Sequence, residues 1–344
     1  MRAYLLNRNY RKMTAIVAFA LVSSAFGVQS NAHAAANDGI SFFEMLFGGP
    51  SGRHAAKNHD GTTSGESCDG YDGILGMVNG FFCHMEKDMG ITSIGSKTLT
   101  FQSNGVHASI TEASNTITIG SRTITTTHLG QVWICSASCS SASNFSRMYY
   151  IAFRYSGSGA VNQGYVVAEP GVMGGESGSA MSLLYDVGTS TTTKYVDVQA
   201  RFTNNSTTFK MRAVGEVTAG VMNVNFAAHN GTNGFRFAGA TDQSASPQYF
   251  KMYYENGTNG SGTDVVNTAS TGSGTLTPSS TACFSVTESG SAMSTASSGA
   301  GNCSGLSLKH FDVLTTGVSG YSQATIWSRS GTLWNGMSAN PDSI

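Results

Sequence analysis

The sequence is poor in charge. Asp, Glu, Lys and Arg make up 11% of the 344 residues, against about 25% in ordinary globular domains. Gly, Ser, Thr and Asn stand in their place. No basic stripe runs along any segment, so nothing is arranged to neutralise a phosphate backbone, and nucleic acid is not an expected partner. Long apolar runs are equally scarce. Beyond the first 27 residues no stretch approaches the roughly 20 apolar residues of a membrane-spanning helix. No Cys-x-x-Cys occurs, which removes a thioredoxin-type redox site and a c-type haem attachment. No full set of nucleophile, base and orienting carboxylate assembles from the pattern, so neither catalytic residues, nor a cofactor, nor a metal is expected.

What is present begins with a targeting segment. Arg2, Arg8, Arg11 and Lys12 form a basic start, Met13 to Gly27 is mostly apolar, and Ala32-His33-Ala34 supplies small residues before a cleavage point. This is the pattern of a bacterial-type secretory signal peptide over residues 1–34, cut after Ala34. No Cys follows the apolar run, so a lipid anchor is not expected. Removing 1–34 takes four basic and no acidic residues, leaving 15 Lys and Arg against 20 Asp and Glu, a net charge of −5. Six cysteines remain: Cys68, Cys83, Cys135, Cys139, Cys283 and Cys303. An even count in an exported chain reads as disulfides. The local pairing Cys68–Cys83, Cys135–Cys139 and Cys283–Cys303 is expected, each bridge closing a Gly- or Ser-rich loop.

The chain then divides. Residues 35–67 read as a leader and linker containing a short apolar helix, with Ile40, Phe43, Leu46 and Phe47 on one face and Gly48-Gly49-Pro50 as its stop. Residues 68–344 read as a disulfide-stapled β domain. Within it a helix is expected over 72–88, where Ile74, Val78, Phe81, Phe82 and Met85 line one face. Short Thr-rich strands follow over 97–135, then a long meander over 146–255, then loop-rich C-terminal strands over 283–328. Residues 256–282 and 289–305 read as loops, and "SLKHFDVLTTG" and "SQATIWSRSG" as final strands.

The meander carries the clearest pattern. In "KYVDVQARF" Val196, Val198, Ala200 and Phe202 alternate with Tyr195, Asp197, Gln199 and Arg201, the period of two that marks a strand. Successive runs end in Gly, Asn, Asp or Ser, and no gap holds a crossover helix, so neighbours should be antiparallel. The expected fold is mainly β: an antiparallel up-and-down meander forming a β-sandwich or closed barrel, with one or two short helices near the N-terminus. No repeat favours a solenoid or propeller.

Several stretches invite chemistry. Gly-Glu-Ser-Gly-Ser over 175–179 resembles the Gly-Asp-Ser-Gly stretch around the nucleophile of chymotrypsin-like proteases. The resemblance implies Ser177 as nucleophile. It covers five residues and departs from the pattern at the acid. A Ser nucleophile also needs a His base, and no upstream His stands in the family's Ala-His-Cys context. Asp69 and Asp72 sit in a Gly-rich turn without the remaining oxygen ligands of a calcium loop. His54, His59 and His84, with Asp60, lack metal-ligand spacing. Glu169, Glu176 and Asp186 flank one hairpin, but glycoside hydrolysis turns on carboxylate separation. The aromatics of the meander, Tyr149, Tyr150, Phe153, Tyr155, Phe235, Phe237, Tyr249, Phe250, Tyr253 and Tyr254, are expected to pack in strand cores rather than to stack on sugars.

Two solvents fit the alternation. A core and water make a soluble or surface-attached β-protein; lipid and a wet lumen make an outer-membrane barrel. The six cysteines, the short early strands, and Gly215 and Gly239 within the apolar rows favour the first. The expected function is therefore a non-enzymatic envelope or surface β-protein acting in binding, adhesion or assembly. Its partner class is another envelope protein or a surface glycan. An outer-membrane barrel passing small solutes and a secreted hydrolase are the alternatives.

Overall fold

In β-rich sequences of this kind Val, Ile, Thr and aromatic side chains fit the pleated surface, and Gly, Asn and Ser turn the chain. The computed structural model describes residues 95–101, 104–119, 122–135, 139–155, 161–168, 180–186, 193–204, 207–229, 234–242, 245–257, 281–289 and 292–309. Thirteen strands form one antiparallel sheet. They are β1 (Gly95–Phe101), β2 (Asn104–Ile119), β3 (Arg122–Cys135), β4 (Ser146–Tyr155), β5 (Val161–Ala168), β6 (Ala180–Asp186) and β7 (Thr193–Asn204). The series continues with β8 (Thr207–Thr218), β9 (Val221–His229), β10 (Gly234–Asp242), β11 (Tyr249–Gly257), β12 (Thr281–Ser289) and β13 (Ala292–Ser297).

Spatial order equals chain order, from β1 to β13. Among the described residues the two end strands do not pair with each other, so the meander is an open sheet there rather than a closed barrel. No α-helix occurs among the described residues. The expected signal peptide 1–34, the short helix around 40–47, the helix 72–88 and the Cys68–Cys83 bridge all lie outside them.

Three expectations are corrected. The short strands expected over 97–135, "KTLTFQ", "VHASITEA", "NTITIG", "RTITTTH" and "QVWIC", are three strands, two of them long: β2 has 16 residues and β3 has 14. Between "VHASITEA" and "NTITIG" the strand continues through a β-bulge, with the register shifting between Glu112 and Asn115. Gly130, between "RTITTTH" and "QVWIC", lies inside β3. A Cβ there would lie 3.0 Å from Ile151 Cγ1 and 3.0 Å from the Ser109 carbonyl, so the glycine permits close packing inside the sheet. Residues 292–297, expected in a loop, form β13 against β12. Residues 307–309, expected to open a strand, belong to no ladder; the Lys309 backbone is bonded instead by side chains of β9.

Turn chemistry is explicit between β8 and β9. Ala219 (φ 50°) and Gly220 (φ 87°) form the two-residue link, and positive φ at both positions suits the twist of a tight hairpin. Two disulfides staple the periphery. Cys135–Cys139 spans the β3–β4 connection with Cα atoms 5.7 Å apart, and Cys283–Cys303 ties β12 to a 3-10 turn at Ala300–Cys303, with Cα atoms 5.8 Å apart. Beside the first bridge Trp133, Cys135, Cys139 and Phe145 pack together, and buried His107 meets Trp133 edge-on at 5.4 Å. Paired thiols of this kind fit an oxidising, exported environment.

Both faces of the central strands are covered. On one face Val196, Val198, Ala200, Val224 and Phe226 are each 0% exposed. On the other, Asp197, Gln199, Arg212 and Asn225 are at most 3% exposed. Among the aromatics, Tyr149, Tyr150, Phe153 and Phe250 are buried in strands.

Candidate functional site

The polar face is the chemically distinctive surface. Strand register aligns Gln163, Asp186, Tyr195, Glu216, Asn223, Ala240, Lys251 and Cys283 as one row across β5 to β12. A second row aligns Tyr165, Leu184, Asp197, Val214, Asn225 and Ala238. Alternation places every one of these side chains on the same side of the sheet.

At the centre Arg212 and Asp197 form a two-pronged ion pair. Arg212 Nε donates to Asp197 Oδ1 at 3.0 Å and Nη2 to Oδ2 at 2.5 Å. Both side chains are withdrawn from solvent. Burial leads, and the Asp197 charge adds, in raising the Tyr195 hydroxyl above its ordinary range, against Arg212 and Arg122. That hydroxyl donates to Asp197 Oδ2 at 3.4 Å.

Two elements cover this face. The first is the end of the β2–β3 hairpin. Beyond the bulge, Ile117, Ile119 and Ile124 join a cluster with Tyr150, Ala152, Tyr165, Val167, Leu184, Tyr195 and Val214. Arg122 fastens the hairpin end. Its Nε donates to Asp186 Oδ2 at 2.7 Å, the two groups form an ion pair, and its guanidinium lies 5.2 Å from the centre of the Tyr195 ring. Gln163 Nε2 donates to the other Asp186 oxygen at 3.2 Å, and Gln163 Oε1 accepts from the Thr125 N–H at 3.4 Å.

The second cover is the segment Cys303–Lys309. Asn223 Oδ1 accepts from the Lys309 N–H at 2.9 Å, and Asn225 Nδ2 donates to the Lys309 carbonyl at 2.9 Å. Lys251 Nζ donates to the Leu306 carbonyl at 2.7 Å. The Lys309 ammonium pairs with Glu216. Burial pushes the Glu216 carboxyl up, but hydrogen bonds from Lys309 and Thr218 and the charges of Lys309 and Arg122 outweigh it, leaving it below the usual range. Leu306 packs with Ala240, Cys283 and Cys303.

Other titrating groups are perturbed too. Burial lowers Lys194 to about 8. Burial also lowers His128, with Glu112 opposing, and the ring stacks on Phe153 at 5.2 Å between centres.

Of the residues singled out in the sequence, Ser177, Asp69, Asp72, His54, His59, His84, Asp60, Glu169 and Glu176 lie outside the described residues. Asp186 is engaged by Arg122 and Gln163. The cysteine pairs Cys135–Cys139 and Cys283–Cys303 are both formed. Among the described residues no three of His, Cys, Asp and Glu converge on a metal position, and none of their helices is long and apolar enough to cross a membrane. Asn223, Asn225 and Lys309 were not legible as a group, because their meeting depends on chain separations of 84 and 86 residues. Only the Asn-x-Asn spacing within β9 hinted at it. Comparison of the chain with family models, curated proteins and solved structures gives no match.

Proposed function

We propose that the chain is an exported, non-enzymatic envelope or surface β-protein acting in binding, adhesion or assembly, its sheet folded over its apolar row. The observation that carries this reading is the cover on both faces. Aliphatic side chains with no exposure in the isolated chain, such as Val196, Val198 and Val224, have no area left to meet acyl chains. The charged side chains opposite them are engaged with one another: Asp197 with Arg212, Asp186 with Arg122, Glu216 with Lys309. Groups held this way brace a scaffold. Another envelope protein or a surface glycan is the partner class that an exported, low-charge, disulfide-stapled β-protein suits.

A second reading, an outer-membrane barrel passing small solutes, draws on one specific observation. Strands such as β7 and β8, of 12 residues each, exceed the roughly nine to eleven needed to cross a bilayer. Cell fractionation combined with gel migration of unheated and heated samples separates the two. The proposed function predicts extraction without detergent and identical migration; a membrane pellet with heat-dependent migration would overturn it.

A further inference from the structure

The segment Leu306–Lys309 lies on the polar face as a bound peptide lies on a receptor. We infer that Glu216, Asn223, Asn225 and Lys251 form a peptide-recognition cradle for an extended Leu-x-x-Lys segment. The cradle is filled in cis by the chain's own residues 306–309 and takes the same segment of a second copy when the cis segment lets go. This deepens the assembly reading and rests on it only for its biological use.

The backbone contacts are those of a peptide reader. Asn223 and Asn225 stand two residues apart on one strand face, so their side chains are about 7 Å apart. They take both the N–H and the C=O of a single residue, each at 2.9 Å. Lys251 takes the carbonyl of Leu306, three residues earlier, at 2.7 Å. Backbone bonds of this kind accept any sequence. Selection comes from the two end side chains: Leu306 is buried among Ala240, Cys283 and Cys303, and Lys309 meets Glu216. Between them Ser307 is exposed and Leu308 only half-buried, as expected for positions that are not read.

Sheet ladders take no part. Residues 306–309 are not in a strand, and their partners are side chains on a sheet face. Occupation therefore consumes no strand edge and is reversible without unpairing the meander. Cys303 is fixed to Cys283 and stands three residues before Leu306. This short tether gives the cis segment a high effective concentration, which keeps the cradle filled and a second copy out.

The test uses the full-length chain and a fluorescein-labelled peptide of residues 304–310, SGLSLKH. A Leu306→Gly/Lys309→Gly chain, with its cis segment disabled, should bind the peptide at least tenfold more tightly than the wild type does. Adding Asn223→Ala and Asn225→Ala should abolish that binding. A peptide carrying Glu for Lys should bind poorly, and Glu216→Lys in the disabled background should restore it. No binding by a disabled chain that keeps the wild-type circular dichroism spectrum, or equal binding of the Lys and Glu peptides, would overturn the cradle. If the disabled chain does not fold, trypsin decides the matter. Glu216→Gln in the otherwise wild-type chain should speed cleavage after Lys309 at least fivefold, and an unchanged rate overturns the inference. Peptide binding with a wild-type chain that stays monomeric at every concentration supports the cradle and overturns the second copy as its occupant.

Discussion

Replacing Asp197 with Leu tests whether the polar face is sealed. Both partners of the Arg212–Asp197 pair are at most 3% exposed, and two hydrogen bonds, at 3.0 and 2.5 Å, join them. Removing the carboxylate leaves the guanidinium inside the protein without its counter-charge. Losing one member of a buried pair costs about 3–5 kcal/mol, much of it the desolvation of the survivor. Replacing both members with apolar residues of similar volume removes that desolvation as well and is often neutral or stabilising. Asp197→Leu alone should therefore lower unfolding stability by about 3–5 kcal/mol. Asp197→Leu with Arg212→Met should return to within about 1 kcal/mol of the wild type. Equilibrium urea unfolding, followed by circular dichroism and tyrosine fluorescence, reads both. A single-variant loss under about 1 kcal/mol, the range of an exposed pair, would mean that water reaches this face. A double variant as unstable as the sum of its singles would mean that the two residues are not coupled.

Further outcomes follow from the same geometry. Phe226→Ala, at a fully buried position, should cost about 3–5 kcal/mol, whereas Thr118→Ala, exposed on the hairpin, should fall within about 0.5 kcal/mol of the wild type in urea unfolding. Glu216 titrates below its ordinary range, so the stability it contributes is full above its unfolded value of 4.5 and is lost as pH falls through the lower folded value. Glu216→Gln should flatten that acid limb. Lys194 runs the other way. Its folded value is about 8 against 10.5 unfolded, so the unfolded chain binds the extra proton and stability rises as pH goes from 8 to 10.5. Lys194→Met should remove this rise in urea midpoints measured across the window. Reducing the Cys135–Cys139 bridge, which packs with Trp133, should change tryptophan emission before the far-ultraviolet spectrum changes.

Much of the sheet was readable from alternation, and the reason is local. In β7 the apolar set at Val196, Val198 and Ala200 and the polar set at Tyr195, Asp197 and Gln199 each fall on one face because strand side chains repeat every two residues. The hairpin links were readable because Gly, Asn and Ser carry turn geometry. Failures arose where one residue type has two uses. Gly130 looks like a gap between two strands and is a contact point inside one. Ser114 looks like a gap between two strands and lies at a bulge inside β2. The Ser- and Ala-rich run over 292–297 looks like a loop and pairs with β12. The cover over the polar face was not readable at all. The contacts from Arg122 to Asp186 and from Lys309 to Asn223 span 64 and 86 residues, and no local pattern encodes a meeting at such separation. Charged residues on alternate positions suggested water or a lumen; in the structure they meet other parts of the same chain.

The most direct test asks what touches the apolar row. The mature chain would be incubated with lipid vesicles containing a membrane-confined diazirine, irradiated, and mapped by mass spectrometry. The account predicts no label on Val196, Val198, Val224 or Phe226, all at 0% exposure, in a protein that sediments as a single species without detergent. Label recurring at every second residue along β7 and β9 would show acyl chains packed against that row and would contradict the account.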